Sequence, residues 1–425
     1  MYSFYFNNEK ITKLLMVGYG ATGKSVCDYL SSFGDLEVDI SQDDEEFLDC
    51  DLDSYDLITV SPGIPLNRSP YRRLSEYRSK IVSDIDIFYQ AIKNTNAKTV
   101  AITGSNGKST IVTMLNYVLN KLGHKSILVG NIGVPALNKI DEKFDYCIVE
   151  TSSFQIDLFH SVHFDLGCVI NVSPDHLDRY KCFEEYKHSK LNLAKFSKEF
   201  FVYDVHNNGV KYSGEYEIVR GSIYRNATKL LDITETNLFG NHNLENIIVV
   251  LNIIDRLGLD IIKAVDVIKK FKGLEHRCRV VKKIDEITYI NDSKGTNVGA
   301  TVAALNSITN KRNIILLLGG VAKGGDFSLM IKSLRKYVKY IFIYGEDREY
   351  IETYLEDFCE YQLCDNMSHA LTCANDIAQP GETVLLSPAC ASFDEFDNYV
   401  NRGEVFEKLV KELAIKKHQE EKSAI

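Results

Sequence analysis

The sequence predicts an α/β protein built of three consecutive doubly wound domains. Its 425 residues exceed the roughly 250 at which a single hydrophobic core stops growing. Short and nearly continuous apolar segments alternate with helical patterns, as expected where parallel strands are buried on both faces. Glycine-rich or polar loops follow several of these segments, at the strand ends where such sheets bind ligands. We place the domains at residues 1–90, 91–274 and 275–425.

Composition and charge argue against several classes of protein. Hydrophobic residues make up 45% and charged residues 25%, which is ordinary for a globular chain. The net charge of -10 argues against nonspecific nucleic-acid binding. The N-terminus lacks a secretory pattern, and no apolar run approaches the roughly 18 residues of a membrane span. We therefore expect a cytoplasmic protein without nucleic-acid or membrane partners. We further expect a monomer that acts on small molecules, which composition does not itself indicate.

Ten cysteines lie between Cys27 and Cys390, and none forms a C-x-x-C pair. This spacing disfavours zinc ribbons, redox dithiols and a disulfide framework. We expect reduced and mostly buried thiols. Cys390 could be a nucleophile, but no paired histidine is identifiable, and a packed thiol is the favoured interpretation.

The first domain begins with an apolar strand, Leu14–Val17, and a glycine-rich turn. Residues 18–25 match both G-x-x-x-x-G-K-[ST] and G-x-G-x-x-G, so this one turn satisfies two nucleotide-binding patterns. A later strand, Asp56–Val60, runs into the rigid turn Ser61-Pro62-Gly63. Because ligands bind at the carboxyl ends of parallel strands, both turns are candidate binding loops.

A second glycine-rich loop lies at residues 103–110, between the apolar strand at 99–102 and a helical pattern. Gly104 and Gly107 would let backbone N–H groups close on an anion at a helix N-terminus. Lys108 could reach β- and γ-phosphates, and Ser109 or Thr110 could ligate magnesium. Ile102 occupies the first glycine position of the strict pattern, so spacing alone favours residues 18–25 as the triphosphate loop.

Magnesium chemistry requires hard ligands near the triphosphate loop. Glu150 ends the strand Tyr146–Val149, and His176 follows the next strand, so both are candidates. Each could instead be a solvated charge or a satisfied loop histidine; together with the loop, the ligand interpretation is favoured. Lys190 lies on the following helix, and taken alone it is predicted to be a surface lysine.

Three polar or small-residue loops follow strands of the third domain, at residues 291–297, 319–326 and 387–394. Such loops at neighbouring strand ends predict a binding rim. Lys294 and Lys323 are candidate partners for a carboxylate or a phosphate.

Together these motifs resemble the ATP-dependent Mur ligase family, over residues 13–408. Within it the chain is most similar to members that add D-glutamate to UDP-N-acetylmuramoyl-L-alanine. The motifs that carry the resemblance are those at 18–23, 61–64, 103–110, 130–133, 151–155, 175–180, 240–243, 276–277, 291–297 and 387–392. The family's ATP loop has the shorter form G-x-N-G-K-[ST], so the resemblance assigns ATP to Gly104–Ser109 and the uridine diphosphate to the first loop. Lys24 then has no assigned role.

The resemblance also implies roles for individual residues. Catalytic roles fall to Lys108, Glu150, His176 and Lys190. ATP would contact Gly104, Ser105, Asn106, Gly107, Lys108, Ser109, Thr110, Asn243, Asn246, Arg277 and Asp292. The UDP substrate would contact Gly20, Ala21, Thr22, Ser61, Pro62, Gly63, Asn131 and His176. D-glutamate would contact Lys294, Thr296, Lys323, Ser392 and Tyr399, although Tyr399 stands where close relatives carry phenylalanine.

Two magnesium ions are implied, with Ser109 and Glu150 at one, and His176 with an N-carbamylated Lys190 at the other. Carbamylation turns a cation into an anion with oxygen ligands, which makes a lysine compatible with a metal.

The implied activity is amide-bond formation through an acyl phosphate. Three alternatives remain: a sister ligase or folylpolyglutamate-type synthase using another amino acid, a nicotinamide-dependent oxidoreductase using residues 18–23, and a regulatory ATP-binding protein. The tetrapeptide Asp-Asn-Pro-Arg, found in lysine- or diaminopimelate-adding relatives, is absent from the sequence.

Overall fold

The structure is a computed structural model that describes residues 3–172, 179–203, 215–238, 241–308, 311–322, 324–355 and 358–423. The chain divides into two compact units, one of residues 1–217 with 246–267, the other of residues 218–245 with 268–425. Short 3-10 helices lie at Leu52–Ser54, Tyr71–Tyr77, Ala136–Lys139, Asn192–Phe196, Ile233–Glu235 and Phe327–Met330. No helix of the described residues is long and apolar enough to cross a bilayer.

The chain begins with an antiparallel hairpin of β1 (Phe4–Phe6) and β2 (Glu9–Ile11), which the sequence analysis missed. A four-stranded parallel sheet follows, with strand order β4-β3-β5-β6. Its elements are β3 (Lys13–Val17), α1 (Ala21–Leu30), β4 (Glu37–Ser41), α2 (Asp44–Leu48), β5 (Leu57–Val60), β6 (Ile81–Val82) and α3 (Asp84–Ile92). Both predicted binding turns leave the carboxyl ends of its strands.

The next sheet has five parallel strands in the order β11-β10-β7-β9-β8. Its elements are β7 (Lys98–Thr103), α4 (Lys108–Lys121), β8 (Ser126–Gly130), β9 (Tyr146–Glu150), α5 (Ser153–Leu158), β10 (Phe164–Val169), α6 (Phe183–Leu191) and β11 (Ser197–Val202). Residues 99–103 of β7 and all of β9 are buried, which explains their largely apolar sequences.

A small three-stranded sheet comes next, formed by β12 (Tyr216–Val219), β13 (Ser222–Arg225) and β14 (Thr228–Asp232). It was not predicted, because its strands are short and largely polar and give no clear period-two pattern. The two helices predicted after it are present as α7 (Asn241–Arg256) and α8 (Ile261–Ile268).

The last sheet has six strands in the order β15-β16-β20-β17-β18-β19, and only the edge strand β15 is antiparallel. The strands are β15 (Arg279–Ile284), β16 (Ile287–Asn291), β17 (Ile314–Gly319), β18 (Val338–Tyr344), β19 (Tyr361–Leu363) and β20 (Thr383–Leu386). The helices are α9 (Val298–Ile308), α10 (Ile331–Tyr337), α11 (Arg348–Leu355), α12 (Met367–Ile377) and α13 (Tyr399–Ser423). Two parallel sheets and one largely parallel sheet, each combined with helices, confirm the predicted α/β fold class.

The first two sheets share one hydrophobic core. Apolar residues of β1, α1 and α3 pack in the same cluster as residues of β8, β9 and α5. Asp86 on α3 adds polar contacts, since its carboxylate accepts hydrogen bonds from the backbone N–H groups of His160 at 3.0 Å and Ser161 at 2.7 Å. The binding loops of both sheets are therefore held on one scaffold.

Candidate active site

The loop that follows β7 wraps tightly around the start of α4. Gly107 caps the helix with φ of 86°, and a Cβ built on it would lie 2.6 Å from Asn246 Oδ1 on α7. Only glycine combines this backbone conformation with so close a neighbour. Ser109 is half-buried and Thr110 is buried in the first turn of the helix. Asn243 lies nearly one turn before Asn246 on α7.

Asn171, just after β10, holds this loop in shape. Its backbone oxygen accepts from the Ser105 N–H at 2.9 Å, and its side-chain Oδ1 accepts from the Asn106 N–H at 2.9 Å. The Asn171 amide also donates to the Asn106 carbonyl at 3.2 Å. Two loop N–H groups are thus committed to Asn171. Sequence reasoning gave Asn171 no role, although an asparagine directly after a buried strand was a usable signal.

Glu150 ends β9 directly opposite Ile102 of β7, two residues before Gly104. Its side chain is 1% exposed, and Oε1 accepts a hydrogen bond from Asn131 Nδ2 at 2.9 Å. Oε2 is buried and has no hydrogen-bond partner among the described residues. A buried carboxylate oxygen without a donor is costly unless a cation satisfies it. The site therefore fits a magnesium ion, and Asn131 orients the carboxylate.

Lys190 on α6 is 2% exposed, so the interpretation of this residue as a surface lysine is wrong. Its Nζ donates to the Gly104 carbonyl at 3.1 Å and lies 4.8 Å from the centre of the Tyr186 ring. Lys108 Nζ donates to the same carbonyl at 2.6 Å and to that of Ser105 at 3.1 Å. The sequence could not reveal this burial, because α6 shows no clear apolar face and its packing is tertiary.

The two binding turns of the first sheet lie side by side. Ser61 Oγ donates to the Gly18 carbonyl at 2.9 Å, which joins the turn after β5 to the turn after β3. Gly20, Ala21 and Thr22 begin α1, and Gly63 is exposed.

Ser25 and Lys24 complete the strict phosphate-loop pattern at residues 18–25. Ser25 is buried, and its Oγ donates to Asn138 Oδ1 at 2.7 Å, so the hydroxyl that the pattern assigns to magnesium is used in packing. Lys24 is exposed.

Arg179 links the Gly63 turn to the second sheet. It donates to the carbonyls of Gly63 at 3.2 Å and Ile64 at 3.1 Å, and its guanidinium stacks 4.3 Å from the centre of the Phe154 ring. Asn67 Nδ2 donates back to the Arg179 carbonyl at 2.9 Å. The sequence analysis included Arg179 only within the motif at residues 175–180 and gave it no role of its own.

In the last sheet, the three predicted loops converge. Asp292 after β16 accepts from Ser387 Oγ at 2.7 Å, which connects the first loop to the third. Burial raises the pKa of Asp292 to about 6. Val321 and Ala391 exchange two backbone hydrogen bonds at 3.0 and 2.9 Å, which connects the second loop to the third.

Arg402 on α13 is fully buried beneath two of these loops. Its Nε donates to Ser293 Oγ at 3.0 Å, and one terminal nitrogen donates to the carbonyls of Ser293 at 2.9 Å and Cys390 at 3.0 Å. Sequence reasoning did not find Arg402, because an arginine in an amphipathic helix is usually solvated. Cys390 is buried and burial raises its pKa to about 12, which fits a packed thiol.

Lys294 and Tyr399, two of the predicted amino-acid-binding residues, lie close together. Lys294 Nζ lies 5.6 Å from the centre of the Tyr399 ring, and the Lys294 N–H donates to the His276 carbonyl at 2.9 Å. Thr296 is half-buried, Ser392 is buried and Arg277 is exposed. His176 and Lys323 lie outside the described residues.

A glycine-rich loop beside a buried carboxylate at the end of a parallel sheet is typical of α/β enzymes that bind nucleoside triphosphates. Residues 102–230 match the Mur ligase middle domain, and residues 276–390 match the Mur ligase glutamate ligase domain. The chain belongs to the Mur ligase family and is a ligase.

Two curated relatives are named UDP-N-acetylmuramoylalanine--D-glutamate ligase. The protein of Francisella tularensis subsp. novicida is 75% identical over 97% of this chain and 99% of its own length. The protein of Francisella philomiragia is 75% identical over 97% of this chain and 100% of its own length.

Solved structures show the same fold at low identity. UDP-N-acetylmuramate-alanine ligase from Thermotoga maritima is 17% identical with a TM-score of 0.58, over 94% of this chain and 99% of that one. MurF ligase from Thermotoga maritima, in complex with ADP, is 15% identical with a TM-score of 0.56, over 94% of this chain and 95% of that one.

Proposed function

We propose that this ligase couples ATP hydrolysis to the addition of D-glutamate to UDP-N-acetylmuramoyl-L-alanine, a step of peptidoglycan synthesis. We choose these substrates because the chain is 75% identical to relatives named UDP-N-acetylmuramoylalanine--D-glutamate ligase. In the reaction, the L-alanine carboxylate attacks the γ-phosphorus of ATP, and ADP leaves. The neutral D-glutamate amine then attacks the carbonyl carbon of the acyl phosphate. A C–N bond forms, phosphate leaves with the C–O bond electrons, and the nitrogen gives up one proton, so that a neutral amide and inorganic phosphate result.

In this proposal the loop at residues 104–110 binds the triphosphate. N–H groups at the start of α4 and the helix dipole favour the phosphate anion. Lys108 exchanges its bonds to loop carbonyls for phosphate oxygens and offsets charge on the transferring group. Magnesium at Glu150 and Ser109 would supply Lewis-acid polarisation of the γ-phosphoryl group. The orphaned Glu150 oxygen is the structural support for that site.

We also propose that Lys190 carries an N-carbamyl group. A buried ammonium that shares the Gly104 carbonyl with Lys108 faces a like charge in a low-dielectric setting. The carbamate removes that repulsion and provides oxygens for a second cation, with His176 as its expected partner.

The substrate and amino-acid sites remain proposals. The joined turns at Gly18 and Ser61, with Gly20, Ala21, Thr22, Pro62, Gly63 and Asn131, would hold the uridine diphosphate substrate. Asn243, Asn246, Arg277 and Asp292 would contact the adenine nucleotide. D-glutamate would bind Lys294, Thr296, Lys323, Ser392 and Tyr399. The cytoplasmic location, the monomeric state and the three domain boundaries stay predictions of the sequence.

An amino-acid panel tests the proposal. Purified protein with ATP, magnesium and UDP-N-acetylmuramoyl-L-alanine should release ADP together with a ligated product only when D-glutamate is present. L-glutamate, L-lysine and diaminopimelate serve as competitors. Product formation with one of these in place of D-glutamate would assign the chain to a sister activity.

A further inference from the structure

A cluster of two cysteines and one histidine lies at the start of α12 and includes none of the residues assigned to the ligase reaction. Cys364 directly follows the edge strand β19, and His369 and Cys373 lie one turn apart on α12. One ligand atom of each lies within 4.8 Å of the other two. From this geometry we propose that Cys364, His369 and Cys373 bind a zinc-class divalent ion.

The backbone around the cluster is firmly held. The Cys364 N–H donates to the Ile343 carbonyl of β18 at 2.8 Å. Asn366 caps α12 by accepting from the His369 N–H at 2.9 Å, which fixes the first turn of the helix. Since positions four apart on a helix lie on one face, His369 and Cys373 both point toward Cys364.

The ligand distances require only a small contraction. Tetrahedral zinc has Zn–S bonds of about 2.3 Å and Zn–N bonds of about 2.0 Å, so neighbouring ligand atoms lie roughly 3.5–3.8 Å apart. Ligand atoms within 4.8 Å therefore move by about 1 Å at most. His369 has a side chain that is 42% exposed, so its ring can make this adjustment, whereas Cys364 is buried and fixed.

The chemistry of the donors selects the ion. Thiolate and imidazole ligands suit zinc and related metals, whereas magnesium requires oxygen ligands. Binding releases both thiol protons, so two thiolates balance the charge of a divalent ion. The Asp365 backbone N–H and the Asp365 carboxylate both lie 3.4 Å from His369 Nδ1. With Nε2 on the ion, the carboxylate would be the outer partner of the imidazole. A fourth position remains for water.

Bound metal would tie β19 to α12. β19 is three residues long and lies at the edge of the sheet, so few hydrogen bonds hold it. Ligands from the end of β19 and from α12 would join these two elements through one ion. We infer a structural site, because none of its residues is part of the proposed ligase machinery.

Cobalt binding tests the site in the full chain. Untagged protein is stripped with a chelator, kept reduced and titrated with Co²⁺. With excess Mg²⁺ present to fill the oxygen-ligand sites, we expect about one sulfur-bound Co²⁺ per chain, with intense thiolate-to-cobalt absorption that Zn²⁺ abolishes by displacement. Zn²⁺ should also raise the unfolding temperature. Cobalt bound without sulfur absorption, or no binding, would overturn the proposal.

Variants locate the ion. His369→Gln and Cys373→Ser change partly exposed side chains, so they avoid the buried Cys364 and should still fold. Each should weaken cobalt affinity by more than about tenfold, and Asp365→Asn by roughly tenfold. Cys359→Ser, a half-buried cysteine of the same unit outside the cluster, is the matched control and should bind normally. Equal binding by Cys373→Ser and the unmodified chain would refute the assignment.

Discussion

Lys108 and Lys190 donate to the same acceptor, the carbonyl oxygen of Gly104, at 2.6 and 3.1 Å. One lysine comes from the helix that the loop begins, and the other comes from a helix about 80 residues later. Their convergence on one loop carbonyl connects the phosphate loop to α6. The two lysines have different expected roles, and they can be separated experimentally.

Lys108→Met should lower kcat by about 10²- to 10³-fold, because a charge-stabilising donor to the transferring phosphoryl group is lost. Steady-state ADP release measures the effect. Lys121→Met, at the exposed far end of the same helix, is the matched control and should retain full activity. An equal loss of kcat in both variants would mean that disturbance of the helix, rather than removal of the Lys108 ammonium, lowers the activity.

The ligase activity should depend on carbon dioxide, because the proposed carbamate on Lys190 forms from it. Protein exhausted of bicarbonate should lose most of its activity and regain it when bicarbonate is added, since a carbamate forms reversibly on a neutral amine. Intact-mass measurement should show the addition of CO₂, and Lys190→Arg should lose both the mass shift and the response. Lys198→Met, an exposed lysine paired with Asp165, should respond to bicarbonate like the unmodified chain. Bicarbonate-independent activity would argue against the modification.

Glu150→Gln should raise the magnesium concentration needed for half-maximal activity by at least about tenfold. The amide keeps the shape of the side chain but removes the anionic oxygen that is orphaned in the structure. A magnesium titration of ADP release measures this, with Glu142→Gln, an exposed residue paired with Lys139, as the control. An unchanged magnesium requirement would place the ion elsewhere.

Asp84 should make stability fall as pH rises through the weakly acidic range. Burial raises the pKa of Asp84 to about 6 from its ordinary value of 3.8, so between these values the folded state binds more protons than the unfolded state. The free energy of unfolding therefore decreases as the pH rises from about 4 to 6, by an amount on the order of 2–3 kcal/mol.

Asp84→Asn should remove this pH dependence. Urea unfolding at pH 4 and pH 8 should show the variant gaining stability relative to the unmodified chain at pH 8, with the gain absent at pH 4. Asp28→Asn, an exposed aspartate on α1, is the matched control. A constant difference between Asp84→Asn and the unmodified chain at both pH values would contradict the assignment.

Arg402→Lys should raise the KM for D-glutamate and lower the free energy of unfolding by about 3 kcal/mol. A lysine ammonium has no counterpart to the Arg402 Nε–H that donates to Ser293 Oγ, so the buried charge loses that partner even where its single nitrogen reaches the two carbonyls. Initial rates and urea unfolding measure the two effects. Arg335→Lys, on the exposed face of α10, should change neither quantity. Loss of stability with an unchanged KM would limit Arg402 to a purely structural role.

The sequence alone determined the succession of α/β units and the positions of the binding loops. Buried parallel strands have continuous apolar sequences, and the glycines at 104 and 107 mark a turn that few other residues allow. Glu150 could be identified as a candidate because it is a charged residue at the end of such an apolar strand. Each of these features depends on residues that are close together in the sequence, so the sequence alone is enough to recognise it.

Only the tertiary structure decided which side chains meet. Asn171 bonds to a loop some 65 residues earlier, Lys190 is buried against Gly104, and Arg402 bonds to Ser293 and Cys390, which lie 109 and 12 residues before it. Ser25 likewise matches a magnesium ligand by spacing, yet its hydroxyl bonds to Asn138. No periodic pattern encodes such contacts, because each depends on the packing of a helix against a distant strand end.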